Sequence, residues 1–135
     1  MKKRTLAIGS ALILGAGLYM GSKSVAITSS ERDSLVSLSK SLIRRINTKD
    51  YNNCINLFDD NLKKVFSEEK MDQIFGIALD TLGPFQRFGP AVVTKKKGDG
   101  ILHTSCTVKC DYKNGPATYT VIFDDARKIS GIHLD

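Results

Sequence analysis

The stretch Met71-Asp72-Gln73-Ile74-Phe75-Gly76-Ile77-Ala78-Leu79-Asp80-Thr81-Leu82-Gly83-Pro84-Phe85-Gln86-Arg87-Phe88 contains the point at which the apolar period of the chain changes. Up to that point Met71, Ile74, Phe75, Ala78 and Leu82 repeat at three and four residues, the spacing of one helix face, and Ser67 can cap this helix. Gly83 and Pro84 end it, because glycine accepts the backbone that closes a helix and proline cannot continue one. Beyond Pro84 the period is two, and strands are predicted over Gln86 to Lys96, Ile101 to Tyr112, Ala117 to Phe123 and Lys128 to Leu134. In the second strand Leu102, Cys106, Val108, Cys110 and Tyr112 share one face and His103, Ser105, Thr107 and Lys109 the other, so one face is buried and the other wetter. Turn residues Lys97-Gly98-Asp99-Gly100, Lys113-Asn114-Gly115-Pro116 and Asp124-Asp125-Ala126-Arg127 join neighbouring strands as short antiparallel hairpins.

Upstream of this junction the pattern is helical. Thr28 with Glu31 and Ser30 with Asp33 form two overlapping capping boxes, after which Leu35, Leu38, Leu42, Ile43 and Ile46 place an apolar stripe on one helix face. A second, shorter helix is predicted from Asp50, with Tyr51, Cys54, Ile55 and Phe58 on one face, and Leu62, Val65 and Phe66 continue the apolar content after a break at Asp59-Asp60. Three helices followed by a four-stranded meander cannot make βαβ units, so the fold class is α+β, with the helices packed on one side of a curved antiparallel sheet.

Net charge of +6 suggests a nucleic-acid or membrane partner until its location is considered. Lys2, Lys3, Arg4 and Lys23 lie in the first 26 residues, which hold no acid, leaving 16 basic against 14 acidic side chains beyond them. The near-neutral remainder lacks the basic stripe that neutralises phosphates, and Lys95 to Lys97 reads as a solvated hairpin tip, so no nucleic-acid partner is expected. Residues 1–26 have the layout of an export signal: a basic start, an apolar run from Leu6 to Met20, and small residues at Ser24 and Ala26. Cleavage after Ala26 is expected. Retention as an N-terminal membrane anchor is the alternative, and it would be the protein's one membrane contact. Residues 27–135 then form a single domain, secreted or held at the cell surface.

Several runs in this domain carry a resemblance. Asp50-Tyr51, Leu57-Phe58-Asp59, Leu62-Lys63-Lys64, Ser67-Glu68-Glu69-Lys70, Leu82-Gly83-Pro84-Phe85, Val121-Ile122-Phe123-Asp124 and Lys128-Ile129-Ser130-Gly131-Ile132 together resemble the exported bacterial and archaeal family called domain of unknown function 3887. That family looks like part of the nuclear transport factor 2-like (cystatin-like α+β) superfamily. The resemblance implies helices wrapped around a bent antiparallel sheet, a cone with an apolar pocket, and no assigned activity.

Three cysteines remain in the domain, enough for one bridge and one free thiol in an exported protein. Cys106 and Cys110 share a strand face about 13 Å apart at ~3.3 Å per residue, too far to bridge. A disulfide therefore has to involve Cys54. Cys106 is the better placed partner, since Cys110 lies nearer the Lys113-Asn114-Gly115 turn. The other reading makes all three small buried hydrophobes. His103 and His133 are read as surface or pocket-rim residues, and the His133-x-Asp135 pair falls short of a metal site. Asp72 and Asp80, beside the helical stripes, are candidate pocket acids for chemistry of the steroid-isomerase kind but read as solvated. No catalytic residue, cofactor or metal ligand is assigned. Two functions stay open: a non-enzymatic module binding a small apolar ligand or a protein, including itself as a homodimer, and a small enzyme using a pocket acid or histidine.

Overall fold

Of the two overlapping capping boxes, the first starts the helix: Thr28 Oγ1 accepts the Glu31 N–H at 3.1 Å. This is a computed structural model that describes residues 23–135. Most of the expected signal or anchor over residues 1–26 lies outside the described residues. Helix α1 (Ser29–Asn47) buries Leu35, Ser39, Leu42, Ile43 and Ile46, the predicted stripe with Ser39 added and Leu38 only partly buried. Ser39 is tolerated in the core because its hydroxyl donates to the Leu35 carbonyl at 2.9 Å.

The expectation of three helices is not what the chain builds. The second is split into α2 (Tyr51–Ile55) and α3 (Asp60–Val65), and the third into α4 (Glu68–Met71), a wider π-turn (Asp72–Gly76) and α5 (Ile77–Leu82). The first break has a physical cause. Asp59 caps α3 by accepting the Leu62 N–H at 2.8 Å, while its own N–H donates to the Ile129 carbonyl at 2.8 Å and Ile129 N–H donates to the Leu57 carbonyl at 2.9 Å. Leu57 to Asp59 thus leaves the helix to pair with a strand edge, through an isolated parallel bridge between Phe58 and Ile129. Val65, counted with the apolar face, is exposed, whereas Leu62 and Phe66 are buried.

All helices precede Pro84, and the sheet follows as β2 (Phe85–Gly98), β3 (Ile101–Tyr112), β4 (Gly115–Phe123) and β5 (Ile129–Leu134). Every ladder is antiparallel and neighbours in sequence are neighbours in the sheet. The face of β3 carrying Thr104, Cys106, Val108, Cys110 and Tyr112 is buried, as its alternation requires, and Lys109 on the other face is exposed. Proline has no N–H for a ladder, and the β2–β3 register shifts between Phe88 and Ala91, where Gly89 and Pro90 stand. One strand was not foreseen. β1 (Lys23–Ser24) pairs with the outer edge of β2, Lys23 opposite Lys97 and Ser24 opposite Lys96. The helices and the inner sheet face enclose one core, whose largest fully buried side chains include Tyr119, Phe58, Phe75 and Leu42. Among the described residues no helix is long and apolar enough to cross a membrane.

Candidate functional site

At the end of the sheet where β2 turns into β3 and β4 into β5, a cleft of about 170 Å3 opens between the start of α1 and the strand ends. Its apolar wall is Leu35, Leu102 and Phe123, and its charged groups are Glu31, Lys95, Asp124, Asp125 and Arg127. Lys95 stands at the inward phase of β2, opposite Thr104, and its Nζ lies 2.7 Å from Glu31 Oε2 in the first turn of α1. The two side chains are only 16% and 24% exposed, so the reading of Lys95 as part of a solvated tip is corrected. Its alternation with Val93 was the signal in the sequence.

The β4–β5 turn is held by Asp124. Its Oδ1 accepts the Ala126 N–H at 2.9 Å and the Lys128 N–H at 2.8 Å, and Arg127 takes φ +62°, a conformation uncommon outside glycine. Arg127 Nη1 donates to Ser34 Oγ at 3.0 Å, tying this turn to α1 across the cleft mouth. A second cleft of about 250 Å3 shares Leu102, Phe123, Asp124 and Asp125 with the first and adds Asp59, Ile101, His103, Ile122 and Ser130. The two clefts adjoin over the strand ends as a groove of two parts, with Leu102, Phe123, Asp124 and Asp125 lining both.

The interior holds a different polar arrangement. Tyr112 donates to Asn47 Oδ1 at 2.6 Å, its oxygen lies 2.9 Å from that of Tyr119, and Asn47 Nδ2 is buried without a partner. Nearby, Tyr51 donates to Asp72 Oδ1 at 3.2 Å on the π-turn. A Cβ at Gly76 would meet that same oxygen at 2.8 Å, so the lack of a side chain there leaves room for the bond. Burial drives the Tyr51, Tyr112 and Tyr119 hydroxyls well above their ordinary titration range, keeping all three neutral donors.

The residues singled out from the sequence are not brought together. Asp72 and Asp80 are exposed, Asp80 lying 4.0 Å from Lys49 Nζ. His103 lines the second cleft, while His133 stands opposite Thr120 with its Nε2 2.9 Å from Asp135 Oδ1. The three thiols are free and fully buried. Cys54 Sγ lies 4.0 Å from the Leu42 carbonyl, Cys106 is opposite Val93 and Val121 and close to Ser39, and Cys110 is opposite Phe88 and Ala117. Burial pushes the Cys54 and Cys110 thiols up to about 12 and raises the Cys106 thiol as well. Among the described residues no group of three or more His, Cys, Asp or Glu is arranged to hold a metal ion.

Fold and groove define a small α+β domain with helices laid on one face of an antiparallel meander. The chain belongs to the family described as protein of unknown function (DUF3887), whose model matches residues 39–132. The fold is similar to that in the NMR structure of a protein from Ruminococcus gnavus ATCC 29149. That likeness has a TM-score of 0.58 at 22% identity, covering 69% of this chain and 81% of the other. No curated protein matches the sequence.

Proposed function

We propose that this chain is an exported, non-enzymatic binding module of nuclear transport factor 2-like architecture. In this reading the groove over the strand ends takes an apolar side chain of a protein partner. The observation that carries it is the commitment of Glu31, Asp124 and Arg127 around an apolar wall, with Asp125 exposed at the rim. Glu31 is engaged by Lys95, Asp124 by two backbone N–H groups and Arg127 by Ser34. A general acid or base has to present its proton to a substrate, and groups fixed this way instead shape a surface. The groove's two clefts, about 170 and 250 Å3, are each below the ~300–1,000 Å3 of sites that enclose a small molecule, which favours side chains presented by a larger partner. The inward curvature expected of a cone is consistent with helices on one sheet face only. The steroid-isomerase kind of chemistry gains no support from Asp72 or Asp80, which face water.

The test is amide-resolved NMR titration with a panel of short peptides differing in one central residue. Peptides with a central Leu, Phe or Met are expected to shift Leu35, Leu102 and Phe123, and Leu102→Glu to abolish the shifts while the fold persists. Shifts centred elsewhere, or unaffected by Leu102→Glu, would refute the assignment of the groove.

A further inference from the structure

Two contacts lay α1 along β2 and fix its direction. Near the start of the helix Glu31 meets Lys95 at 2.7 Å; further along, the Lys40 ammonium and the Arg44 guanidinium stand over the Phe88 ring, 5.2 and 5.1 Å from its centroid. The helix therefore runs antiparallel to β2. Val36, Lys40 and Arg44, spaced by four, share the flank that passes residues 88–93 of that strand. Lys40 and Arg44 are one turn apart, where like charges repel, and among the described residues neither has a carboxylate within ion-pair distance.

The backbone beside them is unpaired on one side. Val25 N–H donates to the Lys95 carbonyl, so the backbone groups of Lys95 point to the outer edge, and those of Val93 and Ala91, at the same phase of the strand, do too. The far side of the sheet gives the same phase. Thr118 and Asp135 exchange both backbone bonds, and carrying the alternation back through β4 and β3 turns Val92 and Thr94 toward β3. The chain's own first strand occupies the outer edge only from Lys97 to Lys95, because it leaves for the Thr28 cap of α1. Among the described residues nothing pairs with Ala91 or Val93 there. β1 shows that this edge accepts a strand, while Gly89 and Pro90 at the register shift keep the open part short.

A segment added at this place has two unlike sides. Ala91 and Val93 stand at the inward phase, opposite Val108 and Cys106, so incoming residues that face them turn toward Lys40 and Arg44 and are suited by carboxylates. The residue between lies beside Val92, which is 59% exposed on the outer face, and is suited by an apolar side chain. Two occupants drawn from the chain itself fit badly. Residues 1–22 hold no acid, and the β2 edge of a second copy would bring its own Lys40 and Arg44 against these.

We propose that the outer edge of β2 at residues 91–93, flanked by Lys40 and Arg44 of α1, takes an extended acidic segment of another protein as an added strand. This surface is separate from the groove over the strand ends and is tested apart from it.

The experiment adds to the full chain a short peptide, blocked at both ends, that alternates valine with glutamate, and follows chemical shifts and amide hydrogen exchange by NMR. Without peptide the Ala91 and Val93 amides should exchange fast, and those of Val92 and Thr94, bonded to β3, slowly. The peptide should slow Ala91 and Val93 roughly tenfold and shift Lys40 and Arg44. Glutamine in place of its glutamates should weaken binding roughly fivefold, as should Lys40→Gln or Arg44→Gln in variants whose free spectra are otherwise unchanged. N-methylation of the peptide backbone should abolish the protection. No binding up to millimolar peptide, or shifts at Lys40 and Arg44 without slowed exchange at Ala91 and Val93, overturns the added strand, and equal binding of the glutamine peptide overturns the acidic partner. Protection of both amides before any peptide is added also overturns the proposal: a second copy holds the edge if the protection grows with protein concentration, and the chain's own N-terminal segment if it does not.

Discussion

The hydroxyl oxygens of Tyr112 and Tyr119 lie 2.9 Å apart in the core, and Tyr112 spends its proton on Asn47 Oδ1 at 2.6 Å, which leaves its oxygen to accept from Tyr119. The order of donation makes the two residues unequal. Tyr112→Phe strands the buried Tyr119 hydroxyl and the Asn47 oxygen together, and should cost about 2–3 kcal/mol, whereas Tyr119→Phe removes a terminal donor and should cost about 1 kcal/mol. The double variant should cost less than the two single losses added, because the second substitution removes a group that the first had orphaned. Urea unfolding of the four proteins measures this, and equal single costs would show that the chain of donors runs otherwise.

Stability should fall at alkaline pH through the buried thiols. Cys54 and Cys110 titrate near 12 in the fold because burial disfavours the thiolate, against about 8.5 in the unfolded chain. Both folded values lie above the unfolded ones, so the folded state holds its protons longer. The contribution is complete below about pH 8.5 and is lost as pH climbs from there toward 12. Each thiol gives a slope of about 1.4 kcal/mol per pH unit in that window. Urea midpoints at pH 8, 9 and 10 should show it, and Cys110→Ala, less stable at pH 8, should show the shallower slope.

The same burial bears on oxidation state. All three thiols are free in this fold and wholly enclosed. A thiol reagent at neutral pH should find none in the native protein and three after denaturation without reductant. A count of one after denaturation would instead report the Cys54 to Cys106 bridge that the sequence permits, with the long loop between them closed.

Glu31 and Lys95 form a pair that is mostly shielded from water, so removing one partner should hurt more than removing both. Glu31→Gln leaves the ammonium with weaker compensation and should lower stability by about 1–2 kcal/mol. Combining Glu31→Leu with Lys95→Met should recover most of that loss. Thermal unfolding of the single and double variants decides it, and a double variant as unstable as the sum of the singles would place the pair among ordinary surface charges.

A backbone conformation open essentially to glycine closes the last helix. Gly83 has φ +77° with ψ −168°, its N–H donates to the Leu79 carbonyl at 2.9 Å, and an added Cβ would meet Asn114 Nδ2 at 3.0 Å. Gly83→Ala and Gly83→Asn should therefore each cost about 1–3 kcal/mol in chemical unfolding. A Gly83→Asn variant as stable as the parent would show that this helix end relaxes into the left-handed helical region instead.

Secondary structure and the two sheet faces were legible because they depend on local spacing. A helix repeats every 3.6 residues and a strand every two, so Leu35, Leu42 and Ile46 or Cys106, Val108 and Cys110 announce their buried sides without reference to the rest of the chain. Gly83 and Pro84 marked the junction for the same reason. What the sequence could not show are meetings between residues far apart along it: Glu31 with Lys95 at a separation of 64, Asn47 with Tyr112 at 65 and Ser34 with Arg127 at 93. Those depend on how the helices are set on the sheet, which the summed packing of the core decides and no local period encodes. The cause of the break at Asp59-Asp60 belongs with them, since the sequence marks the break but not that Leu57 and Asp59 exchange backbone bonds with Ile129. So does β1, whose two residues have no strand pattern of their own and become a strand because the edge of β2 leaves unpaired N–H and C=O groups beside them.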